Sequence, residues 1–419
     1  RFGTGFELPV IYAGNREARE QIEHTLADKT ALTVTENIRP VLEKENLGPA
    51  REKIHDLFME HVMAQAPGYR RLMDWTHVPI MPTPGAVGRM IQVAARQNDI
   101  NVVGVDIGGA TTDVFSVFDE TFNRTVSANL GMSYSISNVL AEAGIDQIAR
   151  WIPMALSEED LKDRLGNKMI RPTSIPQTLD ELIIEQAVSR EALRMAFEQH
   201  KSFAVGLKGV QQKRTISDAF EQKLSGETLV DMMSLDLIIG SGGVLSHAPR
   251  RSQSALMMVD AFQPTGITRL AVDSIFMMPH LGVLSSVQED AALEVFERDC
   301  LIYLGTCIAP VGAGKAGSPC VTIDGELRGQ KITHELPVGT LVRIPAEADD
   351  EVQMSITPAK GFDMGEGPGV PVNRTVHGGV VGILVDTRCR PIQFSKDQAE
   401  HTNQLRQWQQ ALDSYPEQT

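Results

Sequence analysis

Cysteine is scarce in this chain of 419 residues, and its four cysteines all lie in the last third. Cys300, Cys307, Cys320 and Cys389 form no C-x-x-C pair, so the spacing typical of a structural zinc site is missing. Disulfides are rare in reducing compartments, which is where a chain without a secretory signal is expected. The sequence therefore predicts reduced thiols rather than disulfides or zinc ligands.

Long apolar runs are missing as well. No stretch approaches the roughly 18 to 20 uncharged apolar residues that cross a bilayer. The opening residues, Arg-Phe-Gly-Thr-Gly, have no signal-peptide pattern. These features predict a soluble, cytoplasmic protein with no membrane partner. The first residue is Arg1 rather than Met, a start that is compatible with processing or with a missing N-terminal piece.

Basic residues are outnumbered by acidic ones. The chain has 39 Lys and Arg against 54 Asp and Glu, a formal net charge of −15, which repels a nucleic-acid backbone unless the basic residues cluster. Nucleic acid is therefore excluded as the main partner. A hydrophobic content of 42% excludes wholesale disorder, and 419 residues exceed what one core usually organises, so two or three domains are expected.

The strongest chemical pattern lies at residues 101–118. An apolar strand over 102–107 is followed by two glycines, two threonines and a second apolar strand over 113–118, which predicts a β-hairpin. Glycines let backbone N–H groups wrap an anion, threonine hydroxyls add donors, and a carboxylate at the strand end holds Mg²⁺ through water. The series Asp-Ile-Gly-Gly-Ala-Thr-Thr-Asp over 106–113 therefore favours a phosphate-binding turn over a plain hairpin.

A second glycine turn follows the apolar strand at 235–239. Residues 240–243 are Gly-Ser-Gly-Gly and precede a helix-like run over about 249–262. A strand, a glycine turn and a helix in that order resemble a nucleotide-cradling unit. Both glycine turns follow buried strands, where ligands sit in open α/β sheets, so we expect the two turns to face one cleft.

Other candidate sites are weaker. Residues 312–317, Gly-Ala-Gly-Lys-Ala-Gly, lack the first glycine and the Ser or Thr of a P-loop, so Lys315 is assigned to a flexible loop. His247 and His280 have no acidic or Cys partner at ligand spacing, so neither is assigned to a metal site. Ser241 does not lie in Gly-x-Ser-x-Gly, which argues against a hydrolase nucleophile.

These motifs together resemble the actin, sugar-kinase and heat-shock-chaperone ATPase superfamily. Residues 106–113 are similar to its second phosphate loop, residues 82–86 (Pro-Thr-Pro-Gly-Ala) to its first connecting segment, and residues 239–243 to its adenosine motif. More narrowly, residues 240–247 and 273–284 resemble the accessory protein family of glutamate (methylaspartate) mutase, glutamate mutase L type. The resemblance covers roughly residues 5–290.

The resemblance implies an α/β, actin-like ATPase (ribonuclease-H-like) fold, to which the dense short-strand pattern near the C-terminus adds an all-β module. The expected domains are a partial first lobe with connecting helices at 1–100, a second ATPase lobe at 101–295 with a helical insertion around 150–225, a separate β-rich module at 300–394, and a C-terminal helix at 395–419. The β module resembles an extension of some longer family members.

The implied function is that of an ATP-binding accessory or reactivating chaperone for an adenosylcobalamin-dependent carbon-skeleton mutase. The implied cofactors are ATP or ADP and Mg²⁺, and the implied partner is that mutase or another protein subunit in a larger complex. Asp106 and Asp113 are the candidate catalytic carboxylates, with Asp106 also serving the magnesium. The phosphates would be bound by Gly108, Gly109, Thr111 and Thr112, and the adenosine by Gly240, Ser241, Gly242 and Gly243.

One departure from the superfamily affects the predicted activity. Residues 1–80 contain nothing like the first Asp-x-Gly-x-Thr hairpin that clamps the nucleotide phosphates from the other side, and half a clamp hydrolyses poorly. An ATPase is expected only if another chain or an upstream segment supplies that hairpin. The alternative is a non-catalytic scaffold or assembly subunit on a degenerate ATPase fold. A small-molecule kinase would need a catalytic Asp in the other lobe, and the sequence places none.

Overall fold

The computed structural model describes residues 9–40, 46–76, 78, 80–205 and 228–416. These residues belong to two units, unit 1 (Arg1–Ile80 and Val205–Glu227) and unit 2 (Met81–Ala204 and Thr228–Thr419). The part of the expected helical insertion beyond residue 205, like the first eight residues and the last three, lies outside the described residues.

Unit 1 pairs two short strands in parallel and carries three helices among its described residues. In chain order these elements are β1 (Pro9–Tyr12), α1 (Arg19–Leu26), β2 (Ala31–Val34), α2 (Gly48–His61) and α3 (Tyr69–Met73). A proline in the first turn of α2 fits there because the N–H it lacks would have no helical partner. The parallel pairing of β1 and β2 spans an intervening helix, so these two strands do not form a hairpin.

Unit 2 has ten α-helices among its described residues. They are α4 (Thr83–Asn98), α5 (Ile136–Ala143), α6 (Ile145–Ala149), α7 (Glu158–Ile170), α8 (Leu179–Phe203), α9 (Gly243–Ser246), α10 (Arg251–Phe262), α11 (Met278–Leu284), α12 (Glu289–Val295) and α13 (Gln398–Ala411). Within the described residues, no helix is long and apolar enough to cross a membrane.

Within the described residues, the strands of unit 2 form one large mixed sheet, one smaller antiparallel sheet and the antiparallel pair of β9 and β14. They are β3 (Val102–Ile107), β4 (Thr112–Phe118), β5 (Thr121–Ser127), β6 (Leu237–Ser241), β7 (Gly266–Asp273), β8 (Leu301–Ala309), β9 (Val311–Gly312), β10 (Pro319–Leu327), β11 (Gln330–Pro337), β12 (Leu341–Ile344), β13 (Glu351–Pro358), β14 (Phe362–Asp363), β15 (Val372–His377) and β16 (Gly382–Asp386). The large sheet has the order β12-β16-β8-β7-β6-β3-β4-β5, with β3, β6 and β7 parallel to one another. The small sheet has the order β11-β10-β13-β15.

Helices cover both faces of the large sheet, which explains why its central strands are apolar throughout. On one face, α4 packs closely because small residues leave room for the side chains opposite: a Cβ at Gly88 would lie 2.8 Å from Phe122, and one at Gly104 would lie 2.7 Å from Ile91. On the other face, buried residues of α8 and α10, such as Phe197 and Met258, form the larger core with β3 and β6.

The strand-rich segment at 300–394 supplies all four strands of the small sheet, but its strands are not confined to that sheet. Three of its strands, β8, β12 and β16, belong to the large sheet, where β8 pairs with β7 and β16. A single apolar cluster joins Ile323 and Val352 of the small sheet to Ile383 of the large one. Alternation and turn signals predict strands, but they do not say which neighbours a strand pairs with. The C-terminal helix is present as α13, with Trp408 buried against the rest of unit 2.

Candidate functional site

The predicted hairpin is formed by β3 and β4, which pair antiparallel with Asp106 opposite Asp113. Its turn is closed by the Gly108 N–H, which donates to the Thr111 carbonyl at 2.8 Å. A Cβ at Gly109 would come within 2.4 Å of the Ser133 hydroxyl oxygen, so the residue after the first glycine must also be a glycine. The loop that follows β5 therefore packs directly on the turn and fixes its shape.

The second glycine turn lies beside this hairpin. Strand β6 runs parallel to β3 with Ser241 opposite Asp106, so both turns leave the same edge of the sheet. Gly242 has φ +97°, and a Cβ there would lie 2.1 Å from the Ile107 carbonyl oxygen. Only glycine combines that backbone conformation with so close an approach. The structure thus brings together the two turns that the sequence predicted to share a cleft.

Three buried oxygen atoms in this region have no hydrogen-bond partner among the described residues: Asp106 Oδ1, Asp113 Oδ1 and Ser241 Oγ. Asp106 stands between the other two across neighbouring strands. Unpaired buried polar atoms cost free energy, so a cluster of them indicates a place where a bound group completes the interactions. The atoms are hard oxygen donors, two of them on carboxylates, a set that suits Mg²⁺ held directly or through water.

Both carboxyl groups have raised pKa values. Burial raises the pKa of Asp106 to about 7, and the negative charges of Asp113 and Asp273 add to the effect. Burial also raises the pKa of Asp113 to about 6, against the opposing influence of the Arg124 charge and of a hydrogen bond from Thr111. A cation between the two carboxylates would remove this penalty, so proton release and metal binding should be coupled at this site.

This raised pKa predicts an inverse pH dependence of stability in the metal-free protein. Between about pH 4 and pH 7, folded Asp106 keeps a proton that the unfolded chain has lost, so the free energy of unfolding falls as the pH rises through that window. Asp106→Asn keeps a neutral side chain and lacks this fall. In EDTA, we expect the Tm of the variant minus the Tm of the wild type to increase by about 5 °C from pH 5 to pH 8. Parallel Tm curves would show that Asp106 does not titrate in this window.

The other predicted site residues divide into two groups. Thr111 and Gly243 are accessible, and no atom lies within 4 Å of a Cβ built at Gly243, so both can face a ligand. The Thr112 hydroxyl is fully buried and donates to the Leu130 carbonyl, so it is already used inside the protein. Gly240 packs against Met258 beneath the turn, with 2.7 Å between a built Cβ and the sulfur atom. Thr112 and Gly240 therefore support the turns from within.

Two residues at this site were missed by the sequence analysis. Asp273 is the last residue of β7, as Asp106 is the last but one of β3, and its carboxylate accepts the Met278 N–H at 2.8 Å at the start of α11. A carboxylate at the end of a buried strand was a visible signal for it. Arg124 lies on β5, and its Nη1 atom would be 3.9 Å from a Cβ at Gly85, in the first turn of α4. No local motif marks Arg124, because only strand register brings it near Asp113.

No cluster of three or more His, Cys, Asp or Glu side chains in the described part of the chain is arranged as a metal site. Any Mg²⁺ at the hairpin would therefore take most of its ligands from water and from a bound anion, as magnesium commonly does in nucleotide sites. The four cysteines are all buried free thiols, and burial raises the pKa of Cys307 to about 12. They are inert packing residues rather than nucleophiles.

Comparison with solved structures finds distant likenesses. Component A of (R)-2-hydroxyglutaryl-CoA dehydratase from Acidaminococcus fermentans aligns with a TM-score of 0.29 and 12% identity, covering 60% of this chain and 88% of that one. The activator of 2-hydroxyisocaproyl-CoA dehydratase from Clostridium difficile, solved with bound ADPNP, aligns with a TM-score of 0.26 and 14% identity, covering 60% and 84%. TM-scores this low establish neither a shared fold nor a shared ligand.

Comparison of sequences is more informative. Protein MutL of Clostridium tetanomorphum is 26% identical over 323 residues, which cover 70% of this chain and 66% of that protein. The match thus spans just under two thirds of the relative's own length. The model of the family described as MutL protein matches residues 3–300, well over half of this chain. The chain therefore belongs to the MutL protein family.

Proposed function

We propose that this protein binds a magnesium–adenine nucleotide at the β3–β4 hairpin and acts as an accessory protein of an adenosylcobalamin-dependent carbon-skeleton mutase. The observation that carries the nucleotide part is the cluster of unpaired buried oxygens of Asp106, Asp113 and Ser241 beside two glycine turns. Family membership supports the accessory part.

In this proposal each element of the site has a separate task. The turn at 108–111 presents backbone N–H groups to the phosphates, because glycines leave the backbone accessible. Asp106 and Asp113 hold Mg²⁺ through its water ligands, and the turn at 240–243, which opens α9, accommodates the adenosine. Bound magnesium would supply positive charge between the two carboxylates and the phosphates. Arg124 lies near Asp113 and adds a second positive charge on that side.

Hydrolysis requires more than nucleotide binding, because phosphoryl transfer depends on groups that hold the phosphates and position the attacking water from both sides. The strands described in unit 1 are parallel and do not provide an opposing hairpin. We therefore propose that the chain by itself binds nucleotide but turns it over at a negligible rate. A partner chain or a further segment that contributes the second half of the clamp would be needed for turnover.

Calorimetry tests the nucleotide proposal directly. Purified chain should bind ADP and ATP in the presence of Mg²⁺, at least tenfold more weakly after EDTA, and should release phosphate no faster than the buffer blank. Absence of any magnesium-dependent binding would instead favour the scaffold alternative, in which the fold persists without the ligand. Robust ATP turnover by the chain alone would show that the site is more complete than proposed.

The accessory role requires a complex with the mutase. We expect the chain to co-sediment with the subunits of an adenosylcobalamin-dependent glutamate mutase, and the fraction bound to change on addition of Mg–ATP. A nucleotide-dependent change separates an accessory that cycles between states from a scaffold, because only a ligand with different affinity for two states shifts their populations. No co-sedimentation with or without nucleotide would remove the mutase as the partner.

A further inference from the structure

A cavity of about 620 Å³ lies between the start of α5, the end of α7 and the start of α8. This volume is within the range of small-molecule sites. Its apolar floor consists of Ile136, Leu165 and Ile184, all buried. At its opening, Ile170 and Ile175 are 74% and 72% exposed. Two large aliphatic side chains therefore face water at the mouth of an apolar cavity, where an apolar ligand group would cover them.

The charged side chains that line the cavity leave an excess of positive charge. Lys168 is neutralised by Glu185 at 3.0 Å, and the Glu181 carboxylate accepts two backbone N–H groups at the start of α8. Arg164 and Arg171 also line the cavity, and within the described residues neither side chain makes an ion pair or hydrogen bond. In a protein with a net charge of −15, two unpaired guanidinium groups at one cavity favour an anionic ligand.

The cavity is connected to the candidate nucleotide site by a short, hydrogen-bonded segment. Ile136 is the first residue of α5, and the N–H groups of Ser133 and Ser135 just before it donate to the Gly109 carbonyl at 2.9 and 3.4 Å. None of the residues of the two glycine turns lines the cavity. A ligand that shifts the start of α5 would therefore move the phosphate-binding turn without occupying it.

We propose that this cavity binds a small amphipathic anion, a molecule with a carboxylate, phosphate or sulfonate group and an apolar body. Arg164 and Arg171 bind the anionic group, and Ile170 and Ile175 cover the apolar part. The site is separate from the nucleotide site, so its occupancy does not depend on the proposed function. Only the expected influence of its ligand on nucleotide affinity rests on that function.

The probe for this site is 8-anilinonaphthalene-1-sulfonate, a small aromatic sulfonate whose fluorescence rises in apolar surroundings. We expect one molecule to bind per chain, and expect Arg164→Gln and Arg171→Gln each to weaken its binding about fivefold or more. Lys162→Gln is the matched control, because Lys162 lies on the same helix but outside the cavity and pairs with Glu158. N-phenyl-1-naphthylamine, which lacks the sulfonate, should bind the wild type more weakly by a similar factor.

Several outcomes would overturn the proposal. Equal binding of the sulfonate by wild type, Arg164→Gln and Arg171→Gln would show that the arginines do not take the anion. Equal affinity of the wild type for the sulfonate and for N-phenyl-1-naphthylamine would show that the cavity is an apolar site that does not select for negative charge. This comparison needs no variant. Competitive displacement by Mg–ATP would make the cavity part of the nucleotide site. Displacement by a short Asp- and Glu-rich peptide, but not by octanoate, would assign the surface to a protein partner. Calorimetry with Mg–ADP reports separately on the nucleotide proposal.

Discussion

Asp106→Ala is expected to abolish magnesium-dependent binding of ADP and ATP, with a loss of affinity of at least 100-fold in calorimetry. The substitution removes one of two carboxylates that lie opposite each other in the β3–β4 pair, each with a buried oxygen that has no partner among the described residues. Asp113 is then the only one of the two carboxylates left to hold the cation. Magnesium has too few oxygen ligands to stay bound beside the phosphates. Because the raised pKa of Asp106 reflects a cost of its charge in the free protein, the variant should fold at least as well as the wild type at pH 8.

Lys315→Ala is the control for this prediction. Lys315 lies in the glycine-rich segment that partly matches a P-loop, and it is exposed in a turn where the Ser318 N–H and hydroxyl donate to its carbonyl oxygen. Its side chain should not reach a nucleotide, so the variant should bind Mg–ADP with unchanged affinity. If Lys315→Ala lost binding and Asp106→Ala retained it, the nucleotide site would lie at the glycine-rich segment 312–317. That result would contradict the assignment of the site to the β3–β4 hairpin.

Much of the central site could be predicted from the sequence because its signals are local. A buried strand, two glycines and a second strand define the hairpin over residues 102–118, and the turn at 240–243 likewise follows a buried strand. The placement of the two turns at one edge follows from the rule that parallel strands end together. In the structure the two turns leave the same edge of the sheet, with Asp106 opposite Asp113 on one side and opposite Ser241 on the other.

The features that escaped prediction depend on long-range register. The sequence marks β8 and β16 as apolar strands, yet nothing local says that they pair with each other and with β7. For the same reason Arg124 was not recognised, since it reaches the site only through the pairing of β5 with β4. The internal role of Thr112 also depends on a partner eighteen residues away, the Leu130 carbonyl.

A buried network of charges links the end of strand β16 to helices α8, α10 and α13. Arg388, fully buried just after β16, donates to Asp386 at 2.8 and 2.9 Å and to Asp260 of α10 at 2.8 Å. Asp260 also accepts from Arg190 of α8 at 2.7 Å. The Arg388 guanidinium lies 4.8 Å from the centre of the Trp408 ring of α13. One side chain therefore ties β16, α10 and α13 together.

The network should persist in mild acid. Burial alone would raise the pKa of Asp386, but the adjacent charges of Arg388 and Arg390 outweigh it and hold that pKa well below its usual range. Asp386 thus contributes stability that is present above the unfolded pKa and is lost only in strong acid. Its behaviour is opposite to that of Asp106, where the neighbouring charges are negative and add to the effect of burial.

Arg388→Ala is accordingly expected to destabilise unit 2 by about 3–5 kcal/mol, because it leaves Asp260 and Asp386 buried with fewer partners. Urea unfolding monitored by tryptophan fluorescence should show the loss as a lower transition midpoint, because Trp151 and Trp408 are both buried in unit 2. Arg328→Ala is the matched control: Arg328 also makes a two-point contact with a carboxylate, Asp350, but on the exposed surface, where water and salt screen the pair. Equal midpoints for the two variants would show that the buried network adds nothing to stability, and that apolar packing alone holds β16 in the large sheet.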